Sequence, residues 1–204
     1  MKLPVIQEKG LASLKVFRSE RERDMVDGLI QNEVNTTCSK GCSACCYHPL
    51  HISVAEGILL YRHLRDKGLW TKLLEIDLQI HAQKTTGLAP EIWLMARIRC
   101  PLLKDNLCSA YEARPFVCRT TFSKGLPELC DVSTFSQDTP VIPRITELED
   151  FHKRESSMVD AGKARKWLLP LSLAVLVGAD IDKGKTELNQ SAQKILEHYL
   201  KSTS

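Results

Sequence analysis

Every cysteine of this 204-residue chain lies between Cys38 and Cys130, in two groups. Cys38-Ser-Lys-Gly-Cys42-Ser-Ala-Cys45-Cys46 is the first, and Cys100, Cys108, Cys118 and Cys130 are the second. Two sets of four match the thiolate count of a cuboidal iron–sulfur cluster or a closed zinc site. The fold must then bring two stretches far apart in the chain to shared or adjacent ions. If residues 38–46 were helical, about 100° per residue would gather the four sulfurs into an arc of about 100°. In a loop, Gly41 would permit the tight backbone such sites need. Neighbouring side chains at Cys45 and Cys46 are expected to diverge, which leaves room for each to serve a different centre. Spacing does not assign ligands to individual metals.

Composition narrows the readings of these thiols. A hydrophobic fraction of 43% over this length supplies an ordinary core, so stability need not rest on cross-links. The first nine residues, Met1 to Lys9, contain no apolar signal core. The expected compartment is a reducing cytoplasm, where disulfides are rare. A disulfide scaffold is thereby disfavoured. Eight scattered structural thiols would not cluster in this way, and a cysteine nucleophile would use one thiol and leave seven unexplained. A net charge of +3 gives no footprint for nucleic acid. The longest apolar stretch, Trp167 to Val177, is interrupted by Pro170 and Ser172 and is shorter than the roughly 20 residues that span a bilayer. It reads as a core helix or strand, and no membrane contact is expected. Basic groups at 18–23, 62–67 and 153–166 are interrupted by acidic residues and read as solvated helix faces. A docking surface for an acidic partner is the second reading.

Periodicity points to a mainly α fold. Val26, Leu29, Ile30 and Val34 fall near one face of residues 20–34. Ser53 and Glu56 have capping-box spacing ahead of Val54, Ile58, Tyr61 and Leu64, and Gly68 ends that helix. Trp70, Leu73, Leu74 and Leu78 recur at helical spacing towards Gly87, and Pro90 opens a short helix with Ile92, Met95 and Ala96. Leu188, Ala192, Ile195, Leu196, Tyr199 and Leu200 mark the last helix. Residues 120–145, with Gly125, Pro127, Pro140 and Pro143, read as loop. Gly178 to Thr186 resembles a phosphate-binding loop, but five residues separate its glycines where that loop has four. A turn into the last helix explains it better. No Gly-x-Gly-x-x-Gly occurs, so no ordinary dinucleotide site is visible. The expectation is one mainly α domain with a cysteine-cluster metal core and irregular loops. Its parts are a helical extension over 1–37, the cysteine cluster over 38–130, and a loop and helices over 131–204 that pack on the same core.

Together the two groups resemble a known family. Cys38-x3-Cys42-x2-Cys45-Cys46, then Cys100-Pro101-Leu102-Leu103 and Cys108-x2-Tyr111-x2-Arg114-Pro115-x2-Cys118-Arg119, is similar to the YkgJ-like cysteine-cluster family of zinc- or iron-chelating domains. The resemblance covers residues 38–130. It implies metal chelation at Cys38, Cys42, Cys45, Cys46, Cys100, Cys108, Cys118 and Cys130. Flagellin lysine N-methylase carries a similar cluster with iron–sulfur as its cofactor. By that analogy the expected cofactor is an iron–sulfur cluster of the [4Fe–4S] type, with a redox or methylase-like modifying role. A zinc-stabilised interaction module without catalysis is the alternative. The substrate or protein partner stays unnamed.

Beyond the thiols, Arg114 and Arg119 flank Cys118, and fixed cations there would offset the charge of a thiolate cluster. Tyr111, one helical turn before Arg114, could hydrogen-bond a sulfur. Pro115 would stiffen the approach to Cys118. All four could equally serve only to fold the loop around the site. His48 and His51 follow the first group closely, but with eight thiols present they read as surface or capping residues. His63, His81, His152 and His198 show no paired spacing.

Overall fold

The computed structural model describes residues 6–20, 24, 28, 38, 40–121, 130, 168–185 and 187–202. The expected helix over 20–34 and the expected loop over 120–145 lie almost wholly outside them. Among the described residues there are seven α-helices and four very short strands, so the fold is mainly α as the periodicity implied. In chain order they are α1 (Glu8–Ser19), β1 (His51–Ser53), α2 (Val54–Asp66), α3 (Lys72–Thr85), α4 (Pro90–Met95), β2 (Leu103–Lys104), β3 (Leu107–Cys108), α5 (Phe116–Thr120), β4 (Leu168–Pro170), α6 (Leu171–Asp182) and α7 (Gln190–Ser202). Two 3₁₀ turns, Ala44–Tyr47 and Tyr111–Ala113, sit beside the cysteines.

Local chemistry accounts for most boundaries. Ser53 caps α2 by accepting from Glu56 N, and the Glu56 carboxylate accepts from Ser53 N at 3.3 Å, completing the capping box. Gly68 follows α2 with φ +67°, a left-handed stop that glycine adopts freely. Thr71 caps α3 by accepting from Leu74 N at 3.1 Å. Pro90 occupies the first turn of α4, where its missing N–H is no loss. The Trp167–Val177 stretch is both of the alternatives expected for it. Leu168 to Pro170 form β4, and Leu171 begins α6. The chain after Asp182 turns at Gly184, φ +72°. There the buried Asp180 accepts from Lys185 Nζ at 2.6 Å and from Asn189 N at 3.1 Å. The false phosphate loop is thus a carboxylate-pinned turn.

α6 is the centre of the molecule. Ten of its twelve residues are buried, so it is apolar on every side. It crosses α2 through glycine. A Cβ on Gly57 would lie 2.6 Å from the carbonyl carbon of Ala174, and one on Gly178 would lie 2.6 Å from Ile58 N. The two backbones therefore touch directly. β1 and β4, which lead into these helices, pair antiparallel with Ile52 opposite Leu169. Leu11, Leu14 and Phe17 of α1, Leu78 and Ala82 of α3, and Ala192 and Leu196 of α7 join the same core. Arg62 fastens the periphery by pairing with Glu8 of α1 and Asp182 of α6. Arg65 also reaches Asp182. This basic group therefore ties helices together and is more than a solvated face. No helix among the described residues is long and apolar enough to cross a membrane.

Gly178→Ala separates helix propensity from packing. In an isolated helix it would gain about 1 kcal/mol, whereas overfilling the crossing costs about 1–3 kcal/mol or more. We expect the second effect to win and the melting midpoint to fall by several degrees, at about 2–4 °C per kcal/mol for a chain of this size. A raised midpoint in calorimetry would refute the contact.

Candidate metal centre

The first cysteine group is a loop and a 3₁₀ turn. Gly41 takes φ +102°, and Cys45 and Cys46 lie in the Ala44–Tyr47 turn. The second group reaches it through the backbone, because Cys100 N donates to Cys46 O at 2.8 Å. Beyond Cys100 the chain makes a two-residue hairpin. Asp105 and Asn106 have φ +50° and +60°, the left-handed pair that a type I′ turn requires. This pairs Leu103 with Cys108. Cys118 rides on α5, whose first N–H, Phe116 N, donates to Glu56 Oε1 at 2.7 Å. Glu56 therefore caps its own helix and holds the helix that carries Cys118.

These devices converge. Cys42, Cys45, Cys46, Cys100, Cys108 and Cys118 line one cavity of about 60 Å³. Cys130 lies near its edge, for the His48 ring in the same wall is 3.2 Å from the Cys130 carbonyl through Nε2. Cys38 is partly buried. None of the eight is in a disulfide. Cys45 and Cys46 sit in one 3₁₀ turn, close enough for a thiol–thiolate hydrogen bond. That bond is the main cause that draws the Cys45 thiol down to about 7, with the nearby Arg114 helping against burial. Cys46, the donor, is pushed up by the same bond, by burial and by Cys45, Cys100 and Cys108. Burial raises Cys100 to about 12 and pushes Cys118 well above the ordinary thiol range. These mutual effects require thiols within electrostatic reach of one another.

Tyr111 and Arg114 also line the cavity. The Arg114 guanidinium stacks on the Tyr111 ring, 3.8 Å from its centroid, while Nε donates to Tyr111 O at 3.1 Å. So fixed, its charge adds to the lowering of Cys45 and opposes the burial that raises Cys108 and Cys118. The Tyr111 ring thus serves as a platform for Arg114. Arg119 faces elsewhere. It donates to Arg18 O at 2.8 Å and lines a separate groove between α1 and α2. Pro115 caps α5 and lines the cysteine cavity. His51 lies in β1, 6.4 Å from the rings of Trp93 and Tyr199.

Two features had no clear signal in the sequence. Glu56 is readable as a capping residue, but its bond to Phe116 N spans 60 positions. His81 lines the cavity from α3, and only the helical phase shared by Leu78, His81, Ala82 and Thr85 hints that it faces inward.

A family model covers residues 37–155, more than half of the chain, and its description is a candidate zinc- or iron-chelating domain. The chain belongs to the CxxCxxCC family. No curated protein and no solved structure matches it. As a CxxCxxCC protein it is a metal-binding cysteine-cluster protein, and the cavity fits that role by its six thiols, with the Arg114 cation beside them to offset thiolate charge. Among the described residues, no three Cys, His, Asp or Glu side chains already close around a single point. Metal binding would therefore draw the thiols inward and displace the Cys46 proton.

A Cys45 thiol drawn down to about 7 would be about half thiolate at pH 7 in the reduced, metal-free protein. An unperturbed thiol at 9.0 would be about 1% ionised. The weaker nucleophilicity of an acidic thiol cancels about six- to tenfold of that advantage. Iodoacetamide followed by peptide mass mapping should still label the exposed Cys45 several-fold faster than Cys100 or Cys118. Equal rates would contradict the electrostatics described. Glu56→Ala should weaken metal binding by about 10–100-fold, as loss of an outer support does, while far-ultraviolet circular dichroism stays close to wild type. Unchanged affinity would mean that α5 is held by other contacts.

Proposed function

We propose that the cysteine cavity holds an iron–sulfur cluster of the [4Fe–4S] type and that the protein uses it in a redox or methylase-like modifying role. One observation carries the reading: six thiols line a cavity of about 60 Å³. A closed zinc site draws four thiolates to about 2.3 Å from one ion and leaves no such room. A cluster of several irons and sulfides fills space between its ligands. The cluster would supply one-electron chemistry when bound.

The chain's own residues suit that cofactor. Arg114 sets a fixed cation beside the thiols, which favours the more reduced, more negative state and raises the potential. Leu50, Leu102, Ala110 and Leu171 supply apolar wall and limit water on the inner side. Cys45 is exposed, so the centre has one edge that a redox partner or substrate can approach. The substrate is set by groups that meet this edge.

Protein purified without oxygen should be brown and contain iron and acid-labile sulfide in equal amounts, about four of each per cluster. Two zinc ions per chain, no sulfide and unfolding on chelation would instead identify the zinc-stabilised interaction module.

A further inference from the structure

Among the polar residues that line the cysteine cavity, His81 is used by neither family membership nor the thiol chemistry. His81 of α3 is buried, with 7% of its surface exposed, and lines the cavity beside Trp93 and Leu171. Its ring is fixed on two sides. Nδ1 lies 2.9 Å from Ser172 Oγ, and the Trp93 ring meets it edge-on at 5.5 Å and 69°. The other nitrogen, Nε2, is buried and has no hydrogen-bond partner among the described residues.

Ser172 decides which nitrogen carries the proton. It is fully buried in the first turn of α6, where a helix offers unused N–H groups and no unused carbonyls. With its hydroxyl proton given to Nδ1, the neutral imidazole keeps its own proton on Nε2. Burial holds the ring neutral, lowering it to about 4, and Lys84 acts in the same direction. Ser172 is also the lone polar side chain in the apolar run Leu171 to Ala179. A buried hydroxyl there needs a partner, and its partner is the histidine that faces the thiols' cavity. The outcome is an oriented, buried donor without an acceptor, a condition rare in native proteins.

We propose that His81 Nε2–H donates to an electron-rich atom that the metal centre brings into the cavity, either a metal-held sulfur or a small anion bound to the metal. The inference rests on the metal-binding reading. It makes His81 a positioning residue for the centre, opposite in kind to Arg114: a neutral, directional donor where Arg114 is a charge. Partners of this sort typically change metal affinity by about 10–100-fold.

The full-length protein, with histidine labelled by ¹⁵N, is loaded anaerobically with Zn²⁺, a diamagnetic ion that thiolate sites accept. On loading, the His81 Nε2 proton should move downfield and exchange more slowly with water. If zinc alone produces the change, the acceptor is sulfur. If the change requires added azide, the acceptor is a metal-bound anion. His81→Leu should bind Zn²⁺ about 10–100-fold more weakly. His81→Gln, whose amide reaches a similar position, should restore most of that loss. An unmoved resonance in the loaded protein, or wild-type affinity in a folded His81→Leu, overturns the proposal. If the leucine variant does not fold, the resonance of the wild-type protein decides alone. Failure of the wild-type chain to take up any metal would overturn the metal-binding reading itself, a separate and recognisable result.

Discussion

The backbone contact between α2 and α6 sets the position of everything near the cysteines. Gly57 and Gly178 let two helices approach until main-chain atoms touch, and such a contact has one register. Glu56 is the residue before Gly57, and Ser172 lies half a turn before Ala174, which faces Gly57. The crossing therefore fixes Glu56, which holds the Cys118 helix, and Ser172, which orients His81. A side chain at either glycine would shift both at once. Close packing makes such shifts costly and sends them onward into the elements that rest on these helices.

The thiols themselves are held differently. Their segments are short turns and a two-residue hairpin, and they place Leu102, Ala110 and Phe116 in the core. Cys100 N to Cys46 O joins the two groups, and Phe116 N to Glu56 ties the second to α2. This division suits metal binding. A rigid frame sets where the site forms, and turns of modest stability can close on the ion, whose binding energy contributes to folding.

Local signals were legible in the sequence wherever the physics is local. The capping box at Ser53 and Glu56, the stop at Gly68, Pro90 at a helix start and the apolar phase of the last helix each depend on neighbours within a turn or two. The cysteine spacing also pointed to the cavity that six of the thiols line, because chelation restricts which residue types can recur. The long-range pairings were not legible. Ser172 looked like an interruption of an apolar run until α3 brought His81 beside it. Arg119 looked equivalent to Arg114, yet a single step round α5 points it at α1. The left-handed pair Asp105 and Asn106 gives a weaker hairpin signal than Asn-Gly would.

The β1–β4 pairing has a consequence for how the protein comes into being. His51 to Ser53 align with Leu168 to Pro170, so the frame of the site is completed by a segment made long after the last cysteine. During synthesis all eight thiols leave the ribosome before α6 exists to support Glu56 or orient His81. Non-local closure of this kind is slow compared with helix formation. Correct metallation must then wait until α6 has been made, and in the interval the nascent chain presents unguarded thiols to the cell.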